Sequence, residues 1–147
     1  MSSINRFARA VAALTVSLSV AYAFAAEEIT VFKSASCGCC AKWVEHLRKD
    51  GYEVRVTNIE AMNAVKARFN VPAEMRSCHT AVIGGYVIEG HVPASDIQRL
   101  LKEKPRVAGL AVAGMPLGSP GMEGARAERY SVMRFTKEGA SAVFAKH

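Results

Sequence analysis

Three cysteines within four residues, Cys37, Cys39 and Cys40, stand between a strand-like and a helix-like segment of the chain. Neighbours this close are too crowded for ordinary framework disulfides, which need Cα atoms about 4.4–6.8 Å apart and suitably directed side chains. The run therefore indicates a chemical site at the end of a strand. The fold itself has to be inferred from the pattern of strands and helices around it.

That pattern alternates strands and helices. Four segments rich in β-branched and aromatic residues are predicted strands: 28–32, 52–56, 80–83 and 86–89. Three segments with apolar residues on one helical face are predicted helices: 41–50, 58–69 and 93–102. Gly84-Gly85 predicts a hairpin, because glycine adopts positive φ without strain. The order β-α-β-α-β-β-α predicts an α/β fold of the thioredoxin-like class.

The composition changes beyond Pro105. Residues 108–124 are rich in glycine and proline, which predicts a loop. The segments 130–135 and 140–144, joined by residues 137–139, predict a closing β-hairpin.

Residues 1–26 have the pattern of a secretory signal peptide. Arg6 and Arg9 precede an apolar stretch at residues 10–22 that ends among alanines. This stretch is shorter than the roughly 20 residues that span a bilayer, which argues against the alternative of a retained anchor. We predict export, removal of this segment, and one mature domain at residues 27–147 without a membrane span.

Charge excludes one class of partner. The formal charge of +6 is spread along the chain, without a basic run or interleaved aromatic and basic residues. Nucleic-acid binding is therefore not expected.

The cysteine run has a counterpart in Cys78-His79, which enters the third predicted strand. In a thioredoxin-like fold this segment lies beside the turn that carries Cys37, Cys39 and Cys40. A thiolate in that turn faces the unpaired N–H groups of the following helix, which lower its pKa. Four such thiols would form a soft pocket, suited to Cu(I), zinc or an iron–sulfur cluster.

The alternatives on the residues alone are two disulfides, a redox dithiol of C-x-x-C spacing formed by Cys37 and Cys40, or a zinc site. Three thiols on one turn favour copper over zinc, because zinc sites usually draw cysteines from two separated pairs. The usual ferredoxin spacing is absent, which argues against iron–sulfur.

Two methionines and two histidines extend the candidate site. Met115 and Met122 carry soft thioethers in the predicted loop, and both are candidate copper ligands, with packing under the loop as the alternative. His79 is a candidate metal ligand or a group that orients a thiolate. His91 follows the predicted hairpin; we expect it at the surface, with an approach to the site as the alternative.

Four segments of the chain resemble the CopG-like family, bacterial periplasmic proteins associated with copper resistance and long described as a domain of unknown function. They are ITVFKSASCGCCAKW at 29–43, RSCHTAV at 76–82, YVIEGHVP at 86–93 and GMPLGSPGME at 114–123. The resemblance implies a thioredoxin-like fold, a periplasmic location, and one or more copper ions bridged by Cys37, Cys39, Cys40 and Cys78.

Together these observations predict a periplasmic copper-binding protein that holds Cu(I) for copper resistance, sequestration or redox handling. Its predicted ligands are Cys37, Cys39, Cys40, Cys78, His79, Met115 and Met122, and its partners would be the metal ion and other periplasmic copper-handling proteins. The alternative is a periplasmic thiol–disulfide oxidoreductase with Cys37 as nucleophile and Cys40 as resolving thiol.

Overall fold

One mixed β-sheet of seven strands runs through the part of the chain that the computed structural model describes, residues 27–147. The predicted signal peptide, residues 1–26, lies outside the described residues. The strands are β1 (Glu28–Lys33), β2 (Glu53–Asn58), β3 (Thr80–Ile83), β4 (Tyr86–Glu89), β5 (Gly109–Ala111), β6 (Ser131–Phe135) and β7 (Ser141–Lys146). The helices are α1 (Gly38–Lys49), α2 (Met62–Arg68) and α3 (Ala94–Glu103), with a short 3₁₀ turn at Ala73–Met75.

The sheet order is β2-β1-β3-β4-β5-β6-β7. β1 is parallel to β2 and antiparallel to β3, and β4 is parallel to β5. The predicted α/β class, the order β-α-β-α-β-β-α and the closing hairpin are confirmed; the thioredoxin-like relationship stays a prediction. Among residues 27–147, no helix combines the length and apolar character needed to cross a bilayer.

α1 packs on the sheet through one apolar face. Its buried residues are Cys40, Trp43, Val44 and Leu47, which recur at the spacing that keeps side chains on one side of a helix. α1 begins at Gly38 rather than at the predicted Ala41. The cysteine run is therefore part of the helix start, and its last residue is anchored in the core.

The β3–β4 hairpin has the predicted two-residue turn. Gly84 and Gly85 both have positive φ, +56° and +83°, the conformation in which glycine is favoured. The register pairs Ile83 with Tyr86 and Thr80 with Glu89. This hairpin sets which residues stand opposite one another at the site.

The predicted loop at residues 108–124 is wrong in its first part, because β5 occupies Gly109–Ala111. A Cβ on Gly109 would lie 1.9 Å from the carbonyl oxygen of Val87. Glycine at this position therefore permits a close approach of β5 to β4. A high glycine content is also typical of loops, so composition alone did not reveal this strand.

Candidate metal centre

The first turn of α1 carries three of the candidate thiols. Cys37 is the N-cap residue, and Cys39 and Cys40 lie in the first turn. No side chain caps the helix here, and the uncapped N–H groups at the start of a helix favour negative charge nearby. The Sγ atoms of Cys37 and Cys39 are 3.5 Å apart.

Cys37 and Cys40 are joined by a disulfide in this structure, whereas Cys39 and Cys78 carry free thiols. The disulfide within the cysteine run therefore joins the two residues of C-x-x-C spacing. Access to all four thiolates requires two-electron reduction of this bond.

Cys78 reaches the cysteine run because β3 pairs with β1. Phe32 lies opposite Thr80 in an antiparallel register, so the residues just before β3 lie beside those just after β1. The sulfur atoms of all four cysteines lie within 4.8 Å of one another. The predicted convergence of Cys78 with the cysteine run is therefore observed in the geometry.

Two histidines stand against Cys78. His79 Nδ1 is 3.2 Å and His91 Nε2 is 3.0 Å from the Cys78 sulfur, and both rings are buried. The expectation of a surface His91 is wrong. The Nε2 atom of His79 is buried without a hydrogen-bond partner among the described residues, an orphaned donor or acceptor that native structures rarely leave.

The protonation of His91 follows from its second contact. Its Nδ1 lies 2.8 Å from the carbonyl oxygen of Pro120, an atom that can only accept, so Nδ1 carries the proton. The Nε2 lone pair of a neutral His91 then faces the Cys78 sulfur. A backbone carbonyl that fixes the tautomer in this way is a usual partner of a metal-binding histidine.

Burial shifts the pKa values of Cys78, His79 and His91. Burial, together with the neighbouring Cys39, raises the pKa of the Cys78 thiol to about 11. Burial lowers the pKa of His79 well below its usual range, helped by His91 and the Lys66 ammonium, and burial also lowers the pKa of His91. Both imidazoles are therefore neutral at pH 7, the form that ligates metals.

The loop after β5 covers one side of the cluster. Met115 is half exposed, and its sulfur lies 3.9 Å from the Cys39 sulfur. A Cβ on Gly121, whose φ is +86°, would lie 2.7 Å from the carbonyl oxygen of Cys39, so the loop backbone rests directly on α1. Met122 is partly buried and bonds through its backbone to Ser119 and Gly118, so its role as a ligand stays a prediction.

The donor set fits a soft metal ion. In the reduced protein, four cysteine sulfurs, two neutral imidazoles and the Met115 thioether would lie together in one half-buried site. Such soft ligands suit Cu(I) or zinc rather than Mg²⁺ or Ca²⁺. Trp43 packs behind the site, with its ring centroid 4.3 Å from that of His79 and its Nε1 donating to the carbonyl oxygen of Val92. Trp43 is fully buried in the core.

The position of His91 opposite Cys78 could have been predicted from the sequence of the hairpin turn. With Gly84-Gly85 as the turn, Ile83 pairs with Tyr86, and continuing the same register places Cys78 opposite His91. The backbone bond from the Gly90 N–H to the His79 carbonyl, 3.0 Å, shows that the pairing extends this far. Counting residues back from the turn was the missed signal.

A family model described as a protein of unknown function, DUF411, matches residues 75–122. None of the curated proteins is significantly similar to the chain.

Two solved structures named copper resistance protein copG, form 1 and form 2, are similar over most of the chain. Each is 47% identical in sequence, with TM-scores of 0.77 and 0.78. The alignments cover 82% and 84% of this chain, and 96% and 99% of the solved chains.

Proposed function

The chain belongs to the CopG-like family of copper resistance proteins, and from that premise we propose that it binds copper in the bacterial periplasm. The observation that carries this proposal is the convergence of four cysteine sulfurs within 4.8 Å, with two buried histidines against one of them. Function resides in such a site rather than in the α/β fold, which hosts many activities.

We assign the inner ligands to Cys37, Cys39, Cys40 and Cys78 in the reduced protein. Because each thiolate has several lone pairs, four thiolates at these separations can be shared between metal ions, which supports more than one Cu(I). His79 and His91 add neutral nitrogen donors at the Cys78 side, and Met115 adds a thioether at the Cys39 side.

Cu(I) is the proposed ion because the donors are soft and the relatives are copper resistance proteins. Zinc accepts the same cysteine and histidine ligands. The thioether of Met115 distinguishes the two, since Cu(I) accepts thioether ligands and zinc sites in proteins use cysteine, histidine and carboxylates.

In the cell we propose that the protein sequesters Cu(I), or takes part in its redox handling, during copper stress. Export by the predicted signal peptide would place it in the periplasm, where other copper-handling proteins are its expected partners. The family membership supports a role in copper resistance.

The alternative, a thiol–disulfide oxidoreductase, has one observation in its favour, the Cys37–Cys40 disulfide. It is not favoured, because it leaves Cys39, Cys78, His79 and His91 without a role although they converge on the same point. The similar structures are also copper resistance proteins.

Metal content combined with X-ray absorption at the copper edge tests the proposal. The protein is reduced, loaded anaerobically with Cu(I) and desalted. Retained copper in a shell dominated by sulfur supports the proposal. If the protein retains no copper, re-forms its Cys37–Cys40 disulfide on oxidation and catalyses the reduction of insulin by dithiothreitol through its dithiol form, these results would instead support the oxidoreductase.

A further inference from the structure

A buried ion pair lies directly behind Cys78 and His79. Lys66 Nζ of α2 is 2.6 Å from Glu89 Oε1 of β4, and the two side chains are 4% and 0% exposed. Taking two charges out of water costs free energy that their attraction repays only with further hydrogen bonds. The pair is therefore weak evidence for stability, and its position needs another explanation.

The hydrogen bonds of Glu89 give that explanation. Its Oε1 accepts from the backbone N–H of Ser77 at 2.6 Å, and its Oε2 accepts from the Thr80 hydroxyl at 2.6 Å. One carboxylate thus holds the residue before Cys78 and the residue after His79. Lys66 Nζ donates to the Thr80 hydroxyl oxygen at 3.1 Å as well, which closes the network.

The same segment is tied to the loop that covers the site. The Ser77 hydroxyl donates to the carbonyl oxygen of Gly114, the residue before Met115. The backbone of His79 is held from the other side by the Gly90 N–H. The position of the Cys78 sulfur therefore depends on a segment whose two ends are fixed by Glu89.

We propose that Glu89 and Lys66 are positioning residues that hold Cys78 where it completes the four-thiol group. This inference rests on the proposed copper function for its consequence, whereas the geometry it describes does not depend on metal. Partners that orient metal ligands from outside the coordination shell commonly change metal affinity by about 10–100-fold when removed. Loss of the Glu89 bonds would free the Ser77–Thr80 segment and move the thiol.

Thr80 offers the mildest test. Thr80→Val keeps the shape of a buried side chain and removes the hydroxyl that bonds Glu89 and Lys66, whereas Thr80→Ser retains the hydroxyl. Glu89→Gln removes the charge of the carboxylate. Leu100→Ala, a fully buried position in α3 away from the site, is the control for a general loss of stability.

Two measurements are made on each variant. The first is Cu(I) affinity by competition with a chromogenic chelator. The second is the rate of Cys78 alkylation by iodoacetamide at one fixed pH, in protein whose other three cysteines are serine. This rate reports the surroundings of the Cys78 thiol in the absence of metal. Loss of a contact that only stabilises the fold would not change the rate.

The proposal expects Thr80→Val and Glu89→Gln to lower the Cu(I) affinity at least about tenfold and to change the alkylation rate severalfold. Thr80→Ser should restore both values, and Leu100→Ala should change neither. If Glu89→Gln does not fold, the two Thr80 variants decide the outcome.

Where the parent protein binds Cu(I), a folded Thr80→Val protein with the same Cu(I) affinity as the parent overturns the inference, whatever its alkylation rate. If the parent protein itself retains no Cu(I) while the alkylation rates still separate the variants, the proposed function fails and the positioning of Cys78 stands.

Discussion

His91 presents its Nε2 to the sulfur of Cys78 at 3.0 Å across the β3–β4 register. The two residues are 13 positions apart in sequence, and the hairpin turn brings them face to face. In the metal-free protein the neutral Cys78 thiol donates to this nitrogen. Displacement of that proton by a metal ion would leave a thiolate and an imidazole aimed at the same point.

His91→Gln should therefore weaken Cu(I) binding at least about tenfold, because a metal-facing imidazole is replaced by a much poorer ligand. Chelator competition measures the change. His46→Gln is the control: His46 lies on α1 outside the cluster and accepts the Ala94 N–H at 3.1 Å. Equal affinities for the two variants would assign His91 a purely structural role.

Cys39→Ser should reduce the amount of copper retained after desalting, because Cys39 links the cysteine run to the thioether of Met115. The oxidoreductase alternative instead predicts that Cys39 is dispensable. Ser36→Ala, an exposed change in the same turn, should retain the parent copper content. Unchanged stoichiometry and affinity in Cys39→Ser would refute the thiolate-cluster model.

Met115→Leu should lower Cu(I) retention severalfold without changing the thermal midpoint, because the side chain is half exposed and leucine preserves its apolar bulk. Leu117→Ala alters another exposed apolar residue of the loop and should leave copper retention unchanged. Met122→Leu tests the second predicted thioether separately. Retention at the parent level in both methionine variants would make the loop structural.

The metal-free protein should lose stability as the pH falls from about 6.5 to 5. Burial lowers the native pKa of His79 and His91, so the unfolded chain takes up protons in this range while the native protein does not. Above the pKa of a histidine in the unfolded chain, the two neutral histidines make their full contribution to stability. That contribution is lost as the pH falls towards their pKa in the native protein.

Each histidine adds a slope of about 1.4 kcal/mol per pH unit at most. Urea unfolding at several pH values gives the total slope, and His79→Gln should reduce it. A slope that is the same in His79→Gln and the parent protein would mean that His79 is not the responsible group.

Gly121→Ala should destabilise the protein by about 2 kcal/mol or more. The new Cβ would lie 2.7 Å from the Cys39 carbonyl oxygen and 2.9 Å from the backbone nitrogen of Trp43, and the residue would have to adopt a φ of +86°. Gly124→Ala has open space around its Cβ and should stay within about 0.5 kcal/mol of the parent. Urea unfolding gives the free energy of unfolding of both variants. Similar values would show that the loop backbone moves away from α1 at little cost in free energy.

The elements that the sequence predicted correctly are those with strong local signals. The apolar face of α1 and the Gly84-Gly85 turn depend on neighbours in sequence, and both are observed. β5 was missed because Gly109–Ala111 is short and lacks the β-branched residues of a typical strand. Its pairing with β4 comes from a contact distant in sequence.

The candidate site divides in the same way. Convergence of Cys78 with the cysteine run could be predicted, since it follows from the order of the strands. Burial of His91 needed the register of a hairpin, and the Lys66–Glu89 pair needed the packing of α2 against the sheet. Neither residue of that pair has a local pattern that separates it from a solvated surface charge.

The pairing of Phe32 with Thr80 also has a consequence for the lifetime of the protein. In an unfolded chain the three cysteines of the run stay close together because they are neighbours in sequence. Cys78 and the two histidines are distant from them in sequence and come close only when the chain folds. A ligand that binds only the assembled group favours the native state by mass action. Under the proposed function, rising copper would thus protect the folded protein from proteolysis, so that its abundance follows the supply of metal without any change in its synthesis.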